Sequence, residues 1–424
     1  MVKYFSLIGV LCSMSFAMQD YRCSSVCLCD GTDFVSVDSF DDVFTQGEVS
    51  GHIRLAHVRQ NNDATTTPDT YGTAIGGEIK YESAKYYNTS IGLSLFVSQN
   101  ITPLSGDFNT GKLNLDFFDG DGSSLTYFGE AYIDYYYNNF DLRIGRQKLD
   151  TPFNDRDDIR MVPNTFEAVT LGYGGIKDFV FVSGYITAWA GYDSGQNISK
   201  FKDIPGTIGA TGETGKYAVF FGVMNKSFEN VELQAWYYGF DKQTDLEYIE
   251  ATYEVSLNSD IGISLAGQYA HYHERSSSMI EGDVYGGVTG VTYKGIGISF
   301  AYNDVITPGN QTIIIGYGGG PYYTSMEEMT IDSIDDASAY VVGMEIDLSQ
   351  TVLQNLGFSY AFGRFDGTNA AAPVEYEEHD IIFSYIASDK LDFEASYALV
   401  DDKKNSGSND AGYKRTLLRL NYAF

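Results

Sequence analysis

The densest group of side chains that could do chemistry lies between positions 148 and 164. It mixes carboxylates with cationic groups, and two prolines, Pro152 and Pro163, stiffen the segment. Carboxylates and guanidinium groups opposed across a narrow opening create a field that orients zwitterions and selects ions. The alternative is a solvated loop whose acids and bases pair only with each other. The charged residues are Lys148, Asp150, Asp155, Arg156, Asp157, Asp158 and Arg160.

The other polar clusters favour simpler interpretations. His271 and His273 share a strand face and could bind a metal, but a polar rim at the level of lipid headgroups is favoured. The acidic segment 327–336 lacks the residue spacing of a calcium-binding loop. None of the five histidines lies in a nucleophile motif, which disfavours a hydrolase. We therefore expect no catalytic residues, no metal site and no cofactor.

The N-terminal segment is typical of an exported protein. Residues 1–17 combine a basic start, a short apolar run and a small-x-small cleavage site, which predicts a secretory signal peptide. Residues 18–46 then form a short periplasmic lead-in that contains Cys23, Cys27 and Cys29. An oxidising compartment favours one local disulfide, whereas a zinc site at these cysteines lacks a fourth ligand.

Composition excludes several classes of protein. The formal net charge of −30 disfavours a nucleic-acid binder, because a duplex repels such a chain. An aromatic content of 15% argues against disorder. The 34 tyrosines and 45 glycines, set against eight prolines, indicate many strands and turns.

From position 47 to the last residue the dominant pattern is alternation with a period of two, which is typical of strands with unlike faces. Short and long connections alternate between the predicted strands. This arrangement is typical of an outer-membrane β-barrel with tight periplasmic turns and longer extracellular loops, whereas a soluble secreted sandwich requires no such regularity. The eighteen predicted strands are 47–58, 74–87, 89–100, 125–137, 140–147, 167–174, 178–190, 216–226, 231–240, 246–256, 261–273, 283–293, 295–303, 338–348, 355–364, 379–386, 391–399 and 413–424.

A barrel of this kind needs a closed sheet, an apolar exterior and a polar lumen. Closure places the first, second and last strands side by side, so their inward bases form a strip on one wall. Eighteen strands enclose an aqueous lumen, and a lead-in of 18–46 is too short for a plug domain, so a loop must narrow it. Arg146 has outward parity, but a bulge at Gly145 could turn it inward. The predicted lumen wall includes Arg54, Lys80, Glu130, Asp134, Asp141, Arg143 and Arg419.

Two segments resemble a known family. Gly145–Pro152 and Asp158–Phe166 are similar to the third-loop signature of OprD-type outer-membrane porins. The resemblance implies an all-β, transmembrane antiparallel barrel of about 18 strands, whose third loop folds into the lumen opposite a ladder of basic wall residues. It also implies passage of small solutes that often carry a carboxylate. We expect Tyr422 and Phe424, on the last strand, to form the signal read by the barrel-assembly machinery.

The sequence therefore predicts an outer-membrane porin over residues 47–424. It would form a water-filled channel for passive, binding-assisted diffusion of small hydrophilic solutes, with mild cation preference from an acidic lumen. The alternatives are a surface adhesin or structural barrel and, further off, an outer-membrane hydrolase. Outer-membrane lipid and lipopolysaccharide are the expected surroundings, no nucleic acid is expected, and both a monomer and a homotrimer remain open.

Overall fold

The computed structural model of the protein describes residues 35–204, 215–348, 355–369 and 372–424. The predicted signal peptide and Cys23, Cys27 and Cys29 lie outside these ranges. Within them, no helix has the length and hydropathy that a membrane-spanning helix requires.

The eighteen predicted strands are all present, and each pairs with its sequence neighbours in antiparallel register. The strands are β1 Glu48–Asn62, β2 Thr70–Glu82, β3 Thr89–Asn100, β4 Leu125–Tyr137, β5 Phe140–Gln147, β6 Thr165–Tyr173, β7 Phe179–Ala190, β8 Ala218–Phe228, β9 Val231–Phe240, β10 Thr244–Ser256, β11 Ile261–Glu274, β12 Gly282–Tyr293, β13 Ile296–Ile306, β14 Asp335–Asp347, β15 Leu356–Asn369, β16 Ala372–Ser388, β17 Leu391–Asp402 and β18 Tyr413–Ala423.

The sheet closes on itself. β1 pairs with β18 in a register that runs from His52 opposite Ala423 to Asn62 opposite Tyr413. At the periplasmic end, Gly51 and Phe424 exchange two backbone hydrogen bonds of 3.3 and 3.0 Å. Closure leaves no edge strand with unpaired amides, which a sheet surrounded by lipid requires. The predicted closed barrel of eighteen strands is confirmed.

The two faces of the wall differ in the way that a lipid environment demands. On β11, Leu265 is exposed on the outer face, while its neighbour Ser264 is buried on the inner face. On β4, Ile133 is exposed and Asp134 is buried. Apolar side chains therefore cover the exterior, and polar side chains face the interior.

Two predicted connections were too long, because the strands on either side of each extend further than predicted. β15 and β16 extend to Asn369 and from Ala372, although the sequence pattern ended one strand at 364 and began the next at 379. Arg364 pairs with Glu375 across this hairpin at 2.7 Å, so charged pairs continue the ladder where the apolar alternation has stopped. β1 and β2 also extend into the predicted loop 59–73, and only 63–69 remains between them.

Short regular elements accompany the barrel. The described part of the lead-in contains one helical turn and a half, α1, Phe40–Thr45. Tyr81 donates a hydrogen bond from its hydroxyl to the Phe44 carbonyl at 2.9 Å, which ties α1 to β2. A two-stranded hairpin, Asp150–Thr151 with Asn154–Asp155, lies in the loop between β5 and β6. Lys202–Asp203 adds a short strand to the end of β7.

The buried apolar clusters join wall residues to several of the connecting loops. One cluster joins Phe153 of the β5–β6 loop and Tyr317 of the β13–β14 loop to wall residues such as Tyr248. A second joins Phe117 of the β3–β4 loop to Leu417 of β18. These loops are therefore packed against the wall by apolar burial as well as by charge.

Candidate functional site

The loop between β5 and β6, residues 148–164, is braced by its own backbone. Its hairpin pairs Asp150 with Asp155, and Asp157 adopts a positive φ of 39°. The Asn164 amide then donates to the Arg156 carbonyl at 2.6 Å, which closes the loop. We call this segment the third loop.

One part of the third loop is anchored by aromatic packing. Phe153 is only 1% exposed, and its ring packs edge-on against Tyr238 and Tyr248 with centroid separations of 5.3 and 5.5 Å. Tyr272 and Tyr322 complete the enclosure at 6.4 and 6.0 Å. Edge-to-face contacts of this kind add to the stabilisation from burial.

The third loop also pairs with the loop that connects β13 and β14. The Asp155 amide donates to the Tyr317 carbonyl at 2.8 Å, and the Tyr317 amide donates to the Phe153 carbonyl at 2.9 Å. The two loops are therefore joined by a short parallel bridge.

A second part of the third loop is anchored by charge. Arg54 on β1 donates two hydrogen bonds to the Asp158 carboxylate, at 2.7 and 3.3 Å. Arg54 also donates to the Arg160 carbonyl, and Arg419 on β18 donates to the Asp158 carbonyl at 3.0 Å. Burial alone would raise the pKa of Asp158, but the Arg54 guanidinium outweighs it and holds that pKa below its ordinary value.

Lys148 starts the loop inside a cluster of wall carboxylates. Its ammonium lies 2.6 Å from Glu78 and 3.7 Å from Glu130, and Lys80 lies 3.9 Å from Glu130. Burial would lower the pKa of Lys148, but Glu130 and Glu78 outweigh it and raise that pKa above its ordinary value. Lys148 is therefore a cation that two carboxylates already neutralise.

Arg156 is the most exposed guanidinium of the third loop. Its side chain is 48% exposed, and its closest ion-pair partner is Asp150, at 3.3 Å. Burial, followed by the charge of Asp150, raises the pKa of Asp155 well above its ordinary value. Arg156 thus presents a cationic surface to solvent beside two acids.

Asp157 and Arg160 form a separate pair, 3.1 Å apart. The guanidinium of Arg160 also stacks over the ring of Tyr192, with its central carbon 3.5 Å from the ring centroid. Burial and the neighbouring carboxylate of Asp193 raise the pKa of Asp157 to about 7. This acid therefore changes charge near neutral pH.

Three predicted wall residues lie away from the third loop. Arg143 donates to Asp134 at 2.6 and 3.0 Å, and Asp141 is buried beside them near the tight turn 138–139. The short β4–β5 turn pairs these positions close to the periplasmic end, at the opposite end of β5 from the third loop. Arg146 keeps its outward parity, and pairs with Glu167 at 2.9 Å rather than turning inward.

Several residues that the sequence analysis did not single out belong to the site. Arg415, only 4% exposed, pairs with Asp116 at 2.5 Å and with Glu328 at 2.6 Å. Its parity matches that of Arg419 four positions later, so the alternation could have identified it. Asp116 and Glu328 lie in loops, where no periodic signal marks them.

Two wall acids hold the β13–β14 loop by its backbone. Glu378 accepts hydrogen bonds from the amides of Glu328 and Met329 at 3.0 and 2.8 Å. Asp380 accepts one from the Glu327 amide at 3.1 Å. Part of the negative charge on this wall therefore serves to position the β13–β14 loop.

His271 and His273 lie near the end of β11. His271 lies on the exterior, 42% exposed, and its Nδ1 is 2.9 Å from Asp283. No group of three potential metal ligands occurs in the part of the chain that the structure describes. Tyr422 and Phe424, the predicted assembly signal, are both exposed on the last strand and its end.

The predicted basic strip on β18, β1 and β2 is neutralised by acids. Arg54 pairs with Asp158, Lys80 with Glu82 at 3.3 Å, and Arg419 with Glu394 at 2.5 Å. The strands are neighbours, as closure requires. The geometry therefore combines paired charges on one side with aromatic packing on the other, an arrangement that can bind and orient polar solutes.

Comparisons with known proteins agree with this architecture. The family model described as "outer membrane porin, OprD family" matches residues 84–385. OccAB2 of Acinetobacter baumannii superposes with a TM-score of 0.76 at 16% identity, covering 90% of this chain and 99% of that one. OpdQ of Pseudomonas aeruginosa gives a TM-score of 0.73 at 13% identity, covering 91% and 99%. No curated protein matches the sequence.

At such identities the structural likeness establishes the barrel fold alone. The family model spans most of the chain and includes the whole of the third loop. It also assigns the barrel to the outer membrane, in agreement with the apolar exterior. The chain therefore belongs to the OprD family of outer-membrane porins.

Proposed function

We propose that the third loop folds into the lumen and forms the constriction of a water-filled channel. The channel passes small hydrophilic solutes, such as ions and small nutrients that carry a carboxylate or both charges. Passage is passive and is assisted by transient binding to the charged groups of the constriction, with a mild preference for cations.

The observation that carries this proposal is the pair of walls that the third loop contacts. Asp158 binds Arg54 on β1, whereas Phe153 packs on Tyr248 of β10. In a closed ring of eighteen strands, β1 and β10 are nine positions apart and face each other across the barrel. A loop that contacts both walls within six residues supports a crossing of the interior.

The charges support the predicted selectivity. The bases of the wall strip are paired with acids, and Arg156 is the main guanidinium that remains half exposed. Against it stand the acidic surroundings of a chain with a formal net charge of −30. A solute with both charges can contact groups of each sign here. A simple anion meets fewer free cations than it would beside a row of unpaired basic residues.

Arg156→Cys, made after all four native cysteines have been replaced by serine, tests the proposal. A charged thiol-specific reagent that attaches at position 156 narrows the constriction and reduces single-channel conductance in a planar bilayer. The matched control is Lys177→Cys, at a 91% exposed position in the β6–β7 turn, where the same reagent leaves conductance unchanged. Complete labelling of position 156 without any change in conductance would contradict the proposal.

We also propose that residues 1–17 direct export and that the exposed Tyr422 and Phe424 are read by the barrel-assembly machinery. Both aromatic side chains lie on the outer side of the seam between β18 and β1, where a partner can reach them. Alanine at both positions lowers the yield of folded barrel in cells, while a purified, refolded barrel keeps its conductance.

A further inference from the structure

A pocket with mixed polar and apolar lining lies on the outside of the barrel, away from the proposed channel. Its volume is about 340 Å³. Its lining comes from the extracellular ends of β1 and β2, from the loop between them and from the β3–β4 loop. The lining residues are His57, Arg59, Pro68, Asp69, Tyr71 and Lys112.

The pocket lies where the apolar exterior ends. Ile53 and Leu55 are exposed on the outer face of β1, and the next two outward residues are His57 and Arg59. On β2, Tyr71 is the outward-facing residue at the extracellular end, beyond the apolar band, and it is 37% exposed. Tyrosine at this boundary is typical of the membrane interface, so the pocket faces the headgroups of the outer leaflet.

The β3–β4 loop completes the pocket by pairing with the free edge of β2. Lys112 accepts a hydrogen bond at its carbonyl from the Tyr71 amide at 3.0 Å, and Tyr71 accepts one from Gly106 at 3.0 Å. Thr73 donates its hydroxyl to the Leu104 carbonyl at 2.7 Å. Leu104 is 57% exposed beside this edge, so an apolar side chain lies next to the cationic ones.

The cations of the pocket are held without an acidic partner. Arg59 donates a hydrogen bond to the amide oxygen of Asn61 at 3.1 Å, and the ion pairs found among the described residues include neither Arg59 nor Lys112. The carboxylate of Asp69 accepts from the Asn61 side chain at 2.7 Å and from the Asn62 amide at 3.1 Å. Two cations and one already hydrogen-bonded carboxylate leave the pocket net positive on a chain that is otherwise strongly acidic.

We propose that this pocket binds the phosphate group of an outer-leaflet glycolipid. Arg59 and Lys112 supply charge-assisted hydrogen bonds to the phosphate, which suits a guanidinium and an ammonium. Tyr71 and Leu104 lie against the sugar and the start of the acyl chains. The site is independent of the lumen, and it would fix the barrel in a layer of like-charged lipid that otherwise repels an acidic protein.

The test is lipid binding by the full barrel in detergent, followed by native mass spectrometry. Bisphosphorylated lipid A is titrated against wild type and against the double variant Arg59→Gln with Lys112→Gln. The variant is expected to bind about tenfold more weakly or worse, because two hydrogen bonds to a charged group are lost. A double variant with the same change in net charge, Lys177→Gln with Lys390→Gln in tight turns at the opposite end, is expected to bind as wild type does.

Two further ligands identify the source of the phosphate. Wild type and variant are expected to bind lipid A without its phosphates with equal affinity. Inorganic phosphate alone is expected to bind far more weakly than the lipid. Three results would each overturn the proposal: equal affinity of wild type and variant for bisphosphorylated lipid A, wild-type affinity for the dephosphorylated lipid equal to that for the bisphosphorylated one, or wild-type affinity for free phosphate equal to that for the lipid. Single-channel conductance serves as the folding check for every variant.

Discussion

Arg54 links three separate parts of the chain through one guanidinium. It donates to Asn421 on β18 at 2.7 Å, to the Asp158 carboxylate at 2.7 Å and to the Arg160 carbonyl. Asp158 is about a third exposed while Arg54 is almost buried, so in the proposed channel the pair lies at the boundary between protein and lumen. Its charge balance should therefore influence permeating ions directly.

Arg54→Ala tests this influence. Removing the guanidinium leaves the Asp158 carboxylate unpaired, so the ratio of cation to anion permeability rises. A unit charge about 7 Å from an ion in water is worth about 0.6 kcal/mol, which corresponds to about a threefold change for each ion. The reversal potential in a potassium chloride gradient measures the ratio. The control is Arg59→Ala, five positions along the same strand on the outer face, and an unchanged ratio in a folded Arg54→Ala protein would contradict the prediction.

The pKa of Asp157, about 7, makes selectivity depend on pH. Below that value the carboxyl is neutral, and above it the carboxylate adds a negative charge beside Arg160. Cation preference should therefore increase as the pH rises from about 6 to 8. The folded state holds this proton more tightly than the unfolded chain, whose value is 3.8, so the contribution of Asp157 to stability falls as the pH rises from 3.8 to about 7.

Reversal potentials at a series of pH values measure the effect on selectivity. Asp157→Asn is expected to remove the step near pH 7, whereas Asp389→Asn, in an exposed periplasmic turn, is expected to leave it in place. A step of unchanged size in Asp157→Asn would assign it to another group.

At the scale of elements, the third loop and the β13–β14 loop form one unit with three different kinds of attachment. Phe153 supplies apolar burial, Asp158 supplies an ion pair, and the backbone bridge to Tyr317 joins the two loops. Each attachment can be removed separately, which makes its contribution measurable.

Phe153→Ala removes the aromatic attachment. Truncating a buried phenylalanine typically costs about 3–5 kcal/mol, because transfer and cavity terms add. We expect the third loop to leave its position part of the time while the barrel stays folded, so mean conductance and current noise both increase. Phe300→Ala, on the outer face of β13, is the control and should change neither quantity. Wild-type conductance and noise in Phe153→Ala would show that the loop does not limit the channel.

Glu378→Gln weakens the backbone attachment of the β13–β14 loop. Its carboxylate accepts hydrogen bonds from two successive amides, and the substitution leaves a single side-chain oxygen to accept them. Limited proteolysis is expected to cut between 307 and 334 faster than in wild type. The adjacent outward variant Glu377→Gln, which loses ion pairs to Arg364 and Lys403 instead, should show the wild-type cutting rate in this loop. Equal rates in all three proteins would rule out this role for Glu378.

For the whole molecule, the alternation of faces predicts opposite outcomes at adjacent positions. Leu265→Arg places a charge against lipid, which costs about 2–4 kcal/mol near the bilayer centre. Ser264→Arg, one residue earlier, places the same charge in the interior opposite Glu254, where water and a carboxylate can accommodate it. Urea unfolding of the two variants in lipid vesicles compares them. A smaller loss of stability for Leu265→Arg than for Ser264→Arg would contradict the assigned faces.

The barrel could be predicted because a strand between lipid and water alternates apolar and polar side chains from one residue to the next. The same logic failed at β15 and β16, since Arg364, Glu375 and Glu377 replace apolar residues with charges that pair across the strands. The local pattern of apolar and polar residues cannot show that strands carrying such charges still pair with each other.

The site was less accessible to sequence reasoning. The charged third loop and Arg54 were both identified, but Asp158 lies 104 positions from its partner, and no spacing rule joins them. The aromatic enclosure of Phe153 comes from β9, β10, β11 and a distant loop. Such contacts depend on how the closed wall curves, which is a property of the complete ring.

The dual bonding of Arg54 has a consequence for the order of assembly. Its partner Asn421 lies 367 positions away, so this contact forms only when β18 has been delivered to β1. Long-range closures of this kind are late events in folding. Pairing of β18 with β1 therefore closes the barrel and completes the Arg54 anchor for Asp158 in the same step. An open, partly assembled sheet lacks this anchor for the third loop.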